Sequence, residues 1–178
     1  MGRTFDASVV HIGEGFCGSG PSAAHVNTVY GARSGPAGAA FATALATPSS
    51  GHIAFLCVLA PGMPAVPATL FVNKATYTTD DHRRATWGPA QAGVAEGVRD
   101  AQRARLLPSI DDCCVIAAVW VDPEVTEADI EQVFTNNKTA TFVALRAGAA
   151  GTPTAEAADA SGPAWNPYFD SRGQPHSA

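Results

Sequence analysis

The residues best suited to chemistry lie in two short runs and one strand-like segment. Asn73-Lys74-Ala75-Thr76 closes the apolar run Ala68-Thr69-Leu70-Phe71-Val72, which reads as a buried strand. Side chains alternate along a strand, so Lys74 and Thr76 are expected on one face. Gly88-Pro89-Ala90-Gln91 reads as a helix start, with Pro89 at the first helical position and Gln91 in the first turn. An ammonium, a hydroxyl and an amide on rigid elements could grip a polar small molecule. In Ala23-Ala24-His25-Val26-Asn27-Thr28-Val29-Tyr30, His25 and Asn27 share one strand face. Spacing alone gives His25 no role beyond a hydrogen-bonded histidine on a sheet. His11, His52, His82 and His176 have weaker claims still.

These groups must be carried by about five strands and three helices. Strands are expected at Thr4–Ile12, Ala23–Tyr30, His52–Ala60, Ala68–Thr76 and Cys114–Val121. Helices are expected at Pro36–Ala46, at Pro89–Leu106 and from Thr126 onward. In the second, Ala92, Gly93 and Gly97 would permit close backbone approach. The third opens on Thr126-Glu127-Ala128-Asp129, a capping box with Asp for Glu, and carries Ile130, Val133, Phe134, Phe142 and Leu145 as its stripe. Strands and helices alternate without a strict βαβ repeat, which predicts an α/β fold of α+β type: a mixed sheet backed by helices. One domain is expected over residues 1–147, followed by a mostly extended tail over 148–178. Within the tail, Trp165-Asn166-Pro167-Tyr168-Phe169 is expected to dock on the body or on a neighbouring subunit.

A chain of 178 residues can bury roughly 70% of its unfolded surface. A net charge of −5, with only His82-Arg83-Arg84 locally basic, gives no footprint for nucleic acid, and that triplet reads as a solvated turn. No apolar run approaches the ~20 residues of a membrane span, and nothing at the N-terminus resembles a signal peptide. Cys17, Cys57, Cys113 and Cys114 lack metal-ligand spacing and read as free thiols, mostly buried, in a reducing compartment. No metal is expected, and a cytoplasmic location is. Gly13-Glu14-Gly15-Phe16-Cys17-Gly18 matches the dinucleotide pattern, but a strand follows it where a helix is needed. It reads as a hairpin-type connection, which makes a dinucleotide-binding module a poor fit.

Several uncommon motifs in one order carry a more specific signal. They are Ile12-Gly13-Glu14-Gly15, Gly18-x-Gly20, Ala24-His25, Gly35-Pro36-Ala37 with Phe41, Ala60-Pro61-Gly62-Met63-Pro64, Pro67-x-Thr69-Leu70, Asn73-Lys74-x-Thr76 and Gly88-Pro89-Ala90-Gln91-x-Gly93-Val94-Ala95. In these the chain resembles formaldehyde-activating enzyme, also called 5,6,7,8-tetrahydromethanopterin hydro-lyase. The likeness covers Ser8 to Leu107 well and the remainder loosely; Asn166-Pro167-Tyr168 is similar to a His-Pro-Phe near the family's C-terminus. The resemblance implies a sandwich like the second domain of ribosomal protein S5, assembled as a homopentamer with sites between neighbouring subunits. It implies His25 as catalytic acid and Leu56, Lys74, Thr76 and Gln91 as pterin-binding positions. Asn27 stands where the family has an aspartate, inside the same site.

The implied reaction condenses formaldehyde with tetrahydromethanopterin to methylene-tetrahydromethanopterin and water. Tetrahydromethanopterin is a co-substrate here, and no tightly bound cofactor or redox partner is needed. A carbinolamine forms spontaneously, and its hydroxide leaves badly unless an acid protonates it. Histidine, with an ordinary pKa of about 6.5, suits that step. Asn27 raises a second expectation: a divergent paralogue that binds a pterin, or another amine–aldehyde adduct, as carrier, sensor or enzyme of altered substrate.

Overall fold

The computed structural model describes residues 6–109, 111–151, 153–166 and 169–170. The elements in chain order are β1 (Val10–Cys17), β2 (Ala24–Ala32), α1 (Pro36–Ala46), β3 (Ala54–Leu56), β4 (Val58–Ala60), β5 (Met63–Pro64) and β6 (Ala68–Asn73). There follow α2 (Asp80–Ala85), a π-helical turn (Thr86–Ala90), α3 (Gln91–Arg103), β7 (Cys113–Val121), α4 (Ile130–Ala150), α5 (Ala155–Asp159) and the small hairpin β8 (Trp165–Asn166) and β9 (Phe169–Asp170). The main sheet has the order β1-β2-β7-β6-β3. Only the β6–β7 pairing is parallel, so the sheet is mixed and the fold is α+β, as the alternation of elements predicts.

α3 and α4 cover one face of the sheet. On β2, the even-numbered residues from Ala24 to Tyr30 are buried, whereas His25, Asn27 and Val29 are half-buried. The core beneath the helices joins Val26, Phe71, Ala117 and Val119 to Val94, Val133 and Ala140, with a second cluster around Tyr30, Val98, Val115 and Leu145. Small residues set the layer spacing. A methyl group on Gly13 would lie 1.9 Å from the Ala144 carbonyl oxygen, and one on Gly15 2.1 Å from that of Ala140. Gly93 and Gly97 do the same between α3 and α4, where a Cβ would come within 2.4 Å and 2.6 Å of the Phe134 and Lys138 carbonyl oxygens. α1 lies on the opposite face, where Ala37 meets Gly31 far along β2 from His25.

Several expected boundaries move, each for a local reason. The glycine motif Gly13–Gly18 is for the most part not a connection: β1 starts at Val10 and runs through it to Cys17, because Gly13 and Gly15 let this strand lie against α4, and only Gly18 falls beyond the strand. The expected strand His52–Ala60 breaks at the buried Cys57, and β4 leaves the sheet to pair with β5. The strand from Ala68 stops at Asn73 instead of Thr76. There the Asn73 side chain engages both the N–H and the carbonyl of Ala75, a local bonding pattern that competes with the ladder.

The helix expected from Pro89 is part of a longer helical run starting at Asp80, capped by the Thr79 hydroxyl, which accepts from the His82 N–H at 3.0 Å. Pro89 removes one amide donor, and the wider π turn absorbs it. His82, read as part of a solvated turn, is fully buried on α2, whereas Arg83 stays outside and pairs with Asp80 at 3.0 Å.

The capping box is present, with the Asp129 carboxylate accepting from the Thr126 N–H at 2.9 Å and from its hydroxyl at 2.8 Å. α4 continues past Ala147 to Ala150 and ends at Gly151 with φ 94°. Beyond it, Trp165 is exposed; Pro167 and Tyr168 of the expected docking segment lie outside the described residues.

Candidate active site

Four polar side chains meet on the sheet face turned away from α3 and α4. His25 sits opposite Phe16 of β1 and Trp120 of β7, and Asn27 sits opposite Glu14 and Ala118. Paired residues share a face, so Glu14, Phe16, His25, Asn27 and Trp120 all project to the same side. Lys74 reaches this group from just beyond β6, where its N–H extends the parallel ladder to the Val119 carbonyl at 2.9 Å.

The contacts are specific. His25 Nε2 lies 2.9 Å from Glu14 Oε1, with the imidazole 25% and the carboxylate 55% exposed. Phe16 packs edge-on against the imidazole, ring centres 6.3 Å apart. Lys74 Nζ donates to Asn27 Oδ1 at 2.7 Å. Burial, and secondly the Lys74 ammonium, lower the pKa of His25 below its ordinary value, with the Glu14 carboxylate acting against both. Lys74 is also lowered, by burial, again opposed by Glu14. A proton donor, an anion that stabilises its charged form and a cation that destabilises it thus share one half-open surface. Such an arrangement can bind a polar heterocycle and deliver a proton.

The remaining expected site residues lie elsewhere. Leu56 ends β3, three strand spacings or about 14 Å across the sheet from β2, and is exposed. Gln91 opens α3 and lies on the helix-covered side; its side-chain oxygen accepts from the Val58 N–H where β3 gives way to β4. Thr76 faces the turn at Gly51, where an added methyl group would come within 2.4 Å of its hydroxyl. It is therefore not on a shared strand face with Lys74. The structure brings His25, Asn27 and Lys74 together, and sets Leu56 and Gln91 apart at the other sheet edge.

Glu14 is the residue that reading the sequence missed. The signal that could have found it is the alternation Ile12-Glu14-Phe16, hidden because the intervening glycines read as a loop. Among the described residues, no group of three or more His, Cys, Asp or Glu side chains could hold a metal ion. Within the same residues no helix is long and apolar enough to cross a membrane. The cysteines are free, and burial pushes the thiols of Cys57 and Cys113 up to about 12.

Comparison with known proteins converges on one family. Residues 12–162 match the family described as formaldehyde-activating enzyme (Fae). A 5,6,7,8-tetrahydromethanopterin hydro-lyase of Methanosarcina barkeri (strain Fusaro) is 38% identical over 149 residues, which cover 83% of each chain. Bifunctional enzymes Fae/Hps from Methanosphaera stadtmanae and Methanococcoides burtonii are 35% and 38% identical over 142 and 144 residues. Those alignments take in 79% and 80% of this chain but only 34% and 36% of the longer relatives, so the chain spans about a third of their length. With a match running from β1 to the residues before β8, and a hydro-lyase similar across most of both lengths, the chain belongs to the formaldehyde-activating enzyme (Fae) family.

Proposed function

We propose that this chain condenses formaldehyde with tetrahydromethanopterin, giving methylene-tetrahydromethanopterin and water. Family membership and the name of the M. barkeri relative support the substrates. The observation that carries the chemistry is the half-buried His25, held against Glu14 beside the Lys74–Asn27 pair.

Formaldehyde adds to one pterin nitrogen to give a carbinolamine. His25, as imidazolium, donates its proton to the carbinolamine hydroxyl while the nitrogen lone pair pushes, and the C–O bond breaks to release water. The resulting iminium carbon is captured by the second pterin nitrogen, which then gives up its proton, so charge and atoms balance. Positioned acid catalysis of this kind contributes ~10²–10⁴-fold. Lys74 and Asn27 would hold polar atoms of the pterin next to His25, and Leu56, Thr76 and Gln91 would hold the ligand from the other side.

In this reading the protein is a cytoplasmic homopentamer with no tightly bound cofactor. The separation of His25 and Asn27 from Leu56 supports sites built between subunits, since one sheet keeps them about three strands apart. Exposed Ile12 and Leu56 give the sheet apolar surface suited to such contacts, and Trp165 gives the tail another. The test is the rate of methylene-tetrahydromethanopterin formation with purified protein, corrected for the spontaneous reaction. Acceleration proportional to protein concentration is expected, and a rate indistinguishable from background contradicts the proposal.

A further inference from the structure

The Gly13-Glu14-Gly15 segment is absorbed neither by the dinucleotide reading nor by the pterin positions carried over from the family. Its geometry is that of a clamp. The two glycines seat β1 directly on α4, with no room for a side chain at either position. Glu14 between them points to the opposite face, where its carboxylate meets His25 Nε2 at 2.9 Å. Two residues on, Phe16 packs edge-on against the same ring, so β1 restrains the imidazole at two points. Asn27 is neutral and accepts from Lys74, so it supplies no charge to the histidine.

We infer that Glu14 is the positioning residue of the catalytic acid: seated by Gly13 and Gly15, it orients His25 and keeps a proton on it. This rests on the reading of His25 as the acid. Glu14 from β1 and Lys74 from beyond β6 both act on the charge of His25, and they oppose each other. Glu14 therefore offsets the penalty that burial and Lys74 place on the imidazolium. When the proton passes to the departing hydroxyl, the neutral ring stays hydrogen-bonded to the carboxylate and ready for reprotonation.

The test combines the NMR titration of the His25 imidazole, assigned by its loss in His25→Ala, with background-subtracted pH–rate profiles. Both are measured for the wild type, Glu14→Gln and Glu14→Asp. Glu14→Gln keeps the volume and loses the charge. The His25 titration and the alkaline fall of kcat/KM, which reports the free enzyme, should both move to lower pH by the same interval, a one-unit move giving a roughly tenfold lower rate on that limb. KM for the pterin should change by less than about twofold, since pterin binding is not what Glu14 supplies. Glu14→Asp should recover part of the shift. An unmoved His25 titration in Glu14→Gln overturns the inference while leaving the acid assignment intact. So does a moved titration with an unmoved rate profile, or a uniform loss of rate with raised KM in both variants. A wild-type rate in His25→Ala overturns the acid assignment itself, and with it the catalytic role of Glu14.

Discussion

At the scale of single residues, the site is governed by where charge sits, not by how much there is. Asn27 leaves the Lys74 ammonium without a neutralising carboxylate at that position, and the ammonium in turn lowers the pKa of His25. A general acid works in its protonated form, so activity should fall as pH rises through the lowered His25 pKa. Asn27→Asp adds a carboxylate beside Lys74, which should raise the His25 pKa and carry activity to higher pH. Paired pH–rate profiles check the sign; a move to lower pH would contradict it. Lys74→Ala removes a charged hydrogen-bonding partner and should weaken pterin affinity by about 1.5–3 kcal/mol in calorimetry with the fold intact. Equal affinities would remove Lys74 from the binding site.

At the scale of elements, the seating of β1 on α4 leaves no room for a side chain at Gly13 or Gly15. Gly13→Ala would drive a methyl group into the Ala144 carbonyl. Backbone cannot yield as a flexible side chain does, so a loss of at least the ~1–3 kcal/mol typical of overpacking is expected. For a domain of this size that lowers the thermal midpoint by about 2–4 °C per kcal/mol. An unchanged midpoint would mean that β1 and α4 are not in contact as described. The same contact explains what could be read from the sequence and what could not. β2, α1 and β7 were legible because period-two alternation, an alanine-rich run opened by Pro36 and a continuous apolar run fix them locally. Of β1 only the start, residues 10–12, was legible, since its glycines are strand residues only in the presence of α4, a helix more than a hundred residues later. His25, Asn27 and Lys74 could be singled out, and their meeting follows from strand register. Glu14 was lost with its strand. Thr76 was misplaced because Asn73 bends the chain away from the ladder.

At the scale of the whole molecule, one chain carries His25 and Asn27 on β2, and Leu56 on β3 with Gln91 on α3 away from them. If each site takes the His25 set from one subunit and the Gln91 set from its neighbour, two inactive variants can complement each other. His25→Ala and Gln91→Ala, co-refolded in equal amounts, should regain activity, because about a quarter of the interfaces in a randomly mixed ring join two intact sets. Light scattering should give a pentamer for the wild type and for both variants. Activity of the mixture no higher than the mean of the two variants would place the whole site within one subunit.

The most direct measurement compares wild-type protein and His25→Ala in the condensation of formaldehyde with tetrahydromethanopterin, at matched concentration and with the spontaneous rate subtracted. The account predicts a fall of at least ~100-fold in kcat with pterin affinity nearly unchanged. Equal rates above background in the two proteins would contradict it.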